Sequence, residues 1–277
     1  VKDIDIATDA PPERVIELLE AAKIKAVPTG IEHGTVTAVA GGQPFEITTL
    51  RRDVETDGRR ATVEFTDDWT ADAARRDLTI NALSLEPDGT LYDPFGGEAD
   101  LRAGRVRFVG DPRRRIEEDV LRLLRWFRFY AHYGTPPPDA ASLAACREMA
   151  PRLPGLSAER MRAELLHLLA APDPATVVAL MGAEGVLAHV LPEATETGRL
   201  QRLATNAAVL GAAPDPVLRL AALLAVDAGT ARKISHRLRL SNAERDRLIA
   251  VAEADLDLVP EMEAQAWREA AYRLGRG

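Results

Sequence analysis

The chain has 277 residues, 46% of them hydrophobic and 28% charged, with a formal net charge of −8; that is enough apolar material to build a core in about two domains. A single cysteine, Cys146, excludes an internal disulfide and fits a reducing cytoplasm, and no apolar run approaches the ~20 residues that a membrane-spanning helix needs. Taken alone, the acidic total argues against nucleic acid as a partner, yet nine arginines gather between Arg102 and Arg128, so a local basic patch stands as a reading beside that of a solvated, arginine-rich helix face.

The first hundred residues mix strand and helix signals. "DIDIA" alternates polar and apolar as a half-buried strand does, with Ile4 and Ile6 turned to the core. Asp9 before Pro11 and Pro12 reads as a helix start, and Val15, Leu18, Leu19 and Ala22 continue it as an apolar stripe. "GTVTAVA" and "PFEITTL" read as two strands joined through Gly41-Gly42, a hairpin signal. "DVETDGRRATVEF" is polar and turn-rich, a loop or mobile hairpin, and "RRDLTINALSLEPDGTLYDPFGG" holds short strands with a turn at Asp88-Gly89. After about Gly110 strand signals disappear, and helices follow one another behind caps at Asp111, Ser157, Asp173, Asp215 and Ser241, with Gly182 and Gly185 as helix ends. The predicted fold is α+β: a head with a small mixed β-sheet, then an all-α neck and body.

Three carboxylates carry the first chemical signal. On a strand, residues two apart share a face, so Asp3 and Asp5 lie side by side about 6–7 Å apart at Cα. Such a pair can bridge divalent cations, and magnesium favours hard oxygen ligands together with substrate phosphates. Asp-x-Asp on a solvent-facing strand also arises by chance. Glu46 in "PFEITTL" strengthens the metal reading if its strand lies beside that of Asp5, because like charges gathered on one sheet face are unfavourable until a cation or proton neutralises them.

Two later segments add to it. "RRDLTINAL" puts Arg75, Arg76, Asp77 and Asn81 together, and arginines hold triphosphate oxygens in bidentate fashion. The competing reading is a surface salt-bridge cluster of Asp72, Arg75, Arg76 and Asp77. In "IEEDVLRLLRWFRFYA", read as one helix, Ile116, Val120, Leu123, Leu124 and Phe127 form an apolar face. Glu118, Asp119, Arg122 and Arg125 fall opposite, with Trp126 and Phe129 on that same polar side. An acidic group three residues from an arginine presents an acceptor and a donor together, as the edge of a nucleobase does; the plainer reading is an intrahelical ion pair.

In this order the segments resemble the class II tRNA nucleotidyltransferases, the CCA-adding enzymes, and their bacterial poly(A) polymerase relatives. "DIDIAT" resembles the family's metal-binding Asp-x-Asp, "FEITTLRRDVETDGR" its third-carboxylate strand and flexible loop, and "RRDLTINAL" its ribose- and triphosphate-contacting motif. "DPFGGEADLRAGRVRFVGDP" resembles its hinge, "EDVLR" its nucleotide-selecting helix, and "SAERMRAEL" the segment bracing that helix. The resemblance implies a head over 1–108, a nucleotide-selecting neck over 109–171 and an RNA-binding body over 172–277. It implies that the 3′-hydroxyl of a tRNA attacks the α-phosphate of CTP or ATP. Asp3 and Asp5 would hold two Mg²⁺ ions, with Glu46 aiding deprotonation. Arg75, Arg76, Asp77 and Asn81 would hold sugar and phosphates, and Asp119 and Arg122, helped by Arg125 and Arg128, would read the incoming base. In that family a glycine-rich, phosphate-cradling element precedes the Asp-x-Asp strand and a tail follows the body, so the chain reads as a piece of a longer cytoplasmic protein. Poly(A) or CC addition within the same family, and a non-catalytic RNA-binding relative, are the alternatives.

Overall fold

The computed structural model describes residues 4–57 and 60–253, in two compact units: one running to Ala103 and resuming over Arg107–Asp119, the other made of Gly104–Val106 and the chain from Val120. Among the described residues no helix is long and apolar enough to cross a membrane.

The first unit is built on a four-stranded sheet. Its strands are β1 (Asp5–Thr8), β2 (Lys25–Gly30), β3 (Thr35–Ala40) and β4 (Gln43–Thr49), in the order β1-β4-β3-β2. β3 and β4 form the predicted hairpin, and the turn residues Gly41 (φ 59°) and Gly42 (φ 79°) take the left-handed conformations that a tight two-residue connection demands. β1 joins β4 in parallel. Helix α1 (Pro12–Ala21) starts at the predicted prolines and packs on β2, β3 and β4, where Val15, Val36 and Ala38 are buried. Ile4 and Ile6 depart from expectation: they are 51% and 41% exposed, because β1 is the sheet edge and α1 lies over its other three strands. The polar stretch after Leu50 is a hairpin of β5 (Arg51–Asp57) and β6 (Arg60–Phe65).

Helix α2 (Trp69–Ala74) begins at Asp68, whose carboxylate accepts from the N–H groups of Thr70 and Ala71. The small hairpin of β7 (Ser84–Leu85) and β8 (Leu91–Tyr92) turns at Gly89 (φ 93°), as predicted. Helix α3 (Gly97–Arg102) is capped by Asp93, which accepts from the N–H groups of Gly97 and Glu98. Gly97 sits there for close approach: a Cβ would stand 2.2 Å from the Thr79 carbonyl oxygen. Gly97→Ala is therefore expected to destabilise the first unit by about 1–3 kcal/mol, read as a lower denaturant midpoint in a protein that still folds. Helix α4 (Pro112–Glu118) closes the unit, with Asp111 accepting from the Arg114 N–H at its start.

The second unit is helical: α5 (Leu121–Tyr133), α6 (Ala140–Met149), α7 (Ala158–Leu169), α8 (Pro174–Ala183), α9 (Leu187–Val190), α10 (Gly198–Val209), α11 (Pro216–Leu224), α12 (Ala228–Arg237) and α13 (Asn242–Glu253). Asp173 and Asp215 cap α8 and α11 as predicted, and Ser241 forms a reciprocal capping box with Glu244. Ser157 occupies the N-cap position of α7 without a capping side-chain bond, and Gly182 lies inside the last turn of α8 while Gly185 (φ 73°) follows it. The core centres on Leu123, Trp126, Phe127, Leu169 and Met181, all essentially inaccessible. Arg219, 3% exposed, donates to the carbonyls of Leu169 and Ala171 at 2.7 and 2.6 Å, so a cation closes the C-terminus of α7, where the helix dipole favours one.

Candidate functional site

The parallel pairing of β1 with β4 makes Asp5 and Glu46 register partners. Partners on adjacent strands stand about 4.8 Å apart at Cα and project from the same sheet face. Both are exposed, and Thr37 continues the row on β3. The opposite face carries Ile47 and Val36, so the carboxylates occupy the polar face that the alternation predicts. Asp3 lies outside the described residues, and among the described residues no group of three or more His, Cys, Asp or Glu gathers to hold a metal. The donor set in view is two solvent-open carboxylates side by side, which fits a hard divalent cation that also keeps waters and substrate phosphate oxygens. The thiol of Cys146 offers no alternative chemistry: it is fully buried, and burial pushes it well above its ordinary range.

The arginine segment is organised by one buried acid. Asp72, on α2, has a side chain only 5% exposed. Its Oδ1 accepts from Arg75 Nη2 (2.8 Å), Arg75 Nε (3.0 Å) and the Arg51 N–H (3.1 Å); its Oδ2 accepts from Arg76 Nη2 (3.1 Å) and Nε (3.3 Å). Burial alone would raise this carboxyl, but the Arg75 charge and hydrogen bonds, the Arg51 N–H and the Arg76 charge together hold it below the usual range. The salt-bridge cluster weighed from the sequence is therefore present but is built into the interior. Arg75 also donates to the Arg51 carbonyl and is 18% exposed at its side chain, whereas Arg76 is 37% exposed. Asp77 is buried, its Oδ1 accepting from the Leu78 N–H and from Asn81 Nδ2, both at 3.0 Å, which fixes the asparagine amide. Asp100 holds the turn from beneath, accepting from Thr79 Oγ1 (2.7 Å) and Arg107 Nε (2.5 Å).

The predicted long helix is two helices. α4 ends at Glu118, Asp119 is extended (φ −155°, ψ 109°), and α5 begins at Leu121. Aspartate is a poor helix-interior residue and is favoured in extended geometry just ahead of a helix, so the break falls where local chemistry allows it. The single-helix arc from Glu118 to Arg125 is thereby replaced: Asp119 ends the first unit, and Arg122, Arg125 and Arg128 belong to the second. Trp126 also departs from the wheel arithmetic. It is fully buried, stacked on Tyr130 at 5.4 Å, with its indole N–H donating to the Val106 carbonyl, because α5 is enclosed by α7 and α8 and keeps only a narrow solvent strip.

On that strip Arg125 and Arg128 flank Phe129, their guanidinium carbons 5.6 and 4.5 Å from its ring centroid. Both reach Glu164 of α7, Arg128 Nε at 2.7 Å and Arg125 Nη1 at 3.9 Å. The segment "SAERMRAEL" thus braces α5, as its resemblance implies. Arg102, Arg107, Arg114 and Arg115 are likewise engaged by Glu98, Asp100 and Glu118, so much of the arginine cluster serves ion pairs within the chain, exposed at Arg102 and Arg114 and buried at Arg115. The sequence pairs Asp72 with the two arginines at a spacing of three and four residues, but as a surface cluster; its burial was not foreseen. It gave no hint of Asp100, whose partners Thr79 and Arg107 lie outside its own helix, or of the contact of Arg115 with the Arg76 carbonyl 39 residues away.

Comparison with known proteins places this arrangement. Residues 1–107 match the poly A polymerase head domain, and residues 138–197 match the domain described as "Probable RNA and SrmB-binding site of polymerase A". The chain belongs to the family of tRNA nucleotidyltransferases and bacterial poly(A) polymerases. It is 41% identical over 262 residues to the mouse mitochondrial CCA tRNA nucleotidyltransferase 1, which covers 93% of this chain and 60% of that protein. It is 42% identical over 177 residues to the CCA-adding enzyme of Levilactobacillus brevis, covering 63% of this chain and 43% of the relative. Among solved structures, the Bacillus stearothermophilus CCA-adding enzyme in complex with CTP matches with a TM-score of 0.79 at 29% identity, over 99% of this chain and 67% of that one. The chain thus spans about 60% of the length of the mouse relative.

Proposed function

We propose that this chain is the catalytic and base-selecting part of an enzyme that adds CMP and AMP, from CTP and ATP, to the 3′ end of tRNA. The register pairing of Asp5 with Glu46 carries the reading, because it puts two exposed carboxylates on one polar face of a head of this family. In the reaction the 3′-oxygen of the RNA forms a bond to the α-phosphorus, the bond from that phosphorus to the bridging oxygen breaks, and pyrophosphate leaves. Asp5, with Asp3, would hold Mg²⁺, which supplies charge neutralisation to the triphosphate and the attacking oxygen. Glu46, the register partner of Asp5, draws the hydroxyl proton away. Arg76, the more open of the two arginines, contacts the triphosphate; Arg75 and Asp72 keep it in place, and Asp77 presents the Asn81 amide to the sugar. Asp119, at the end of the first unit, accepts from the Watson–Crick edge of the base; within the second unit, the donors that the resemblance assigns to base reading, Arg122, Arg125 and Arg128, all lie on α5.

The division into a head over 1–108, a neck over 109–171 and a body over 172–277 belongs to this proposal, as do tRNA as partner and the cytoplasm as the place of action. The test is incorporation of radiolabelled CTP or ATP into tRNA lacking its 3′ end by the full-length protein, with Mg²⁺ and with chelator. Label must enter from both nucleotides and only with the metal. Binding of the tRNA without incorporation of either nucleotide would make the protein an RNA-binding relative instead.

A further inference from the structure

Two segments of the proposed site lie in the first unit: residues 75–81, which carry Arg76, and the end of α4, where Asp119 follows Glu118. Arg115 joins them. It is a charged residue only 8% exposed. Its Nη2 donates to the Arg76 carbonyl at 2.5 Å and its Nη1 donates to Glu118 Oε2 at 2.6 Å. A guanidinium is planar, so these two donors hold their acceptors at a fixed relative position. Arg76 is itself gripped by Asp72. The result is a continuous polar chain, Asp72–Arg76–Arg115–Glu118, that runs from the proposed phosphate contact to the residue preceding Asp119.

The break in the helix gives this chain its consequence. Asp119 has left helical geometry, so the regular helix does not by itself dictate where its carboxylate stands, and the anchoring of Glu118, the residue before it, bears directly on that position. We infer that Arg115 is a positioning residue for base selection, setting the distance between the segment that holds the triphosphate and the acceptor that reads the base. The inference rests on the proposed roles of Arg76 and Asp119. A base is discriminated by hydrogen bonds whose geometry tolerates little displacement, and a shift of about 1 Å in such a contact can cost on the order of 100-fold in rate. Arg115 thereby acts on which nucleotide is chosen, through a residue it does not itself replace.

The experiment measures kcat/KM for CTP, ATP, UTP and GTP on tRNA lacking its 3′ end, using the full-length protein. The variants are Arg115→Lys, Glu118→Gln, Asp119→Ala and the double Arg115→Lys/Asp119→Ala. Discrimination is a ratio of rates, so a smaller folded fraction does not move it, and Glu118→Gln opens the same link from its other end should the lysine variant fail to fold. Arg115→Lys and Glu118→Gln are each expected to lower the preference for CTP over UTP by about tenfold. The double variant should discriminate no worse than Asp119→Ala alone, because both changes act through one carboxylate. Equal losses for all four nucleotides, with the preference intact in both link variants, would make Arg115 a structural ion pair and overturn the inference. Were Asp119→Ala itself to leave the preference unchanged, the base-reading role would fail, and the inference with it.

Discussion

Asp5→Asn is expected to lower nucleotide incorporation by about 10³-fold while leaving the fold intact. The size follows from the several kcal/mol of transition-state charge stabilisation that a bound metal supplies, at about 1.4 kcal/mol per factor of ten. The amide keeps the shape of the side chain but removes the negative charge that would attract the cation. Stability should barely change: Asp5 is exposed on an edge strand, where substitutions shift folding by about 0.5 kcal/mol or less. Glu46→Gln, at the register partner, should lower the rate without abolishing metal-dependent nucleotide binding. The check pairs incorporation rates with thermal melts of the same preparations. A variant that melts like the parent and still incorporates at the parent's rate would remove Asp5 from the reaction.

Asp72→Asn has the largest expected effect on stability, about 3 kcal/mol, because removing one partner of a buried ion pair leaves the others uncompensated. Here Arg75, Arg76 and the Arg51 N–H all depend on that carboxylate. The folded-state pKa of Asp72 lies below its ordinary value, so its contribution is complete above the unfolded pKa of about 4 and is lost as pH falls through the folded value. The stability gap between the parent and Asp72→Asn should therefore be constant above about pH 5 and close in stronger acid. Denaturant titrations across that range check it. A gap that persists unchanged at about pH 2 would mean that the charge of Asp72 is not what holds the arginines. The KM for nucleotide should rise in the same variant, since Arg76 loses its support.

What could be read before folding was mostly local or in register. The Gly41-Gly42 hairpin, the alternation that turns Glu46 away from Phe45 and Ile47, and the aspartate caps of α8 and α11 each follow from spacing and residue type alone, whereas the pairing of Glu46 with Asp5 stood only as a condition until the strand order was known. The errors have a common origin in tertiary surroundings. Ile4 and Ile6 have a core-facing pattern, but the pattern does not say that β1 would be the edge strand and α1 would lie over the other three. Trp126 falls on a polar arc in a helical wheel, yet α5 has neighbours on more than one side. The break at Asp119 was hidden because an apolar stripe runs on in phase across it. Arg115 was illegible for a different reason. Its decisive partner is a backbone carbonyl 39 residues away, and a carbonyl has no sequence signature.

The most direct measurement is to sequence the 3′ ends that the full-length protein makes from a tRNA lacking C, C and A, given both CTP and ATP with Mg²⁺. C, C and A are expected to be added in that order, after which addition stops. Long A tails, or ends that remain as supplied, would contradict that expectation.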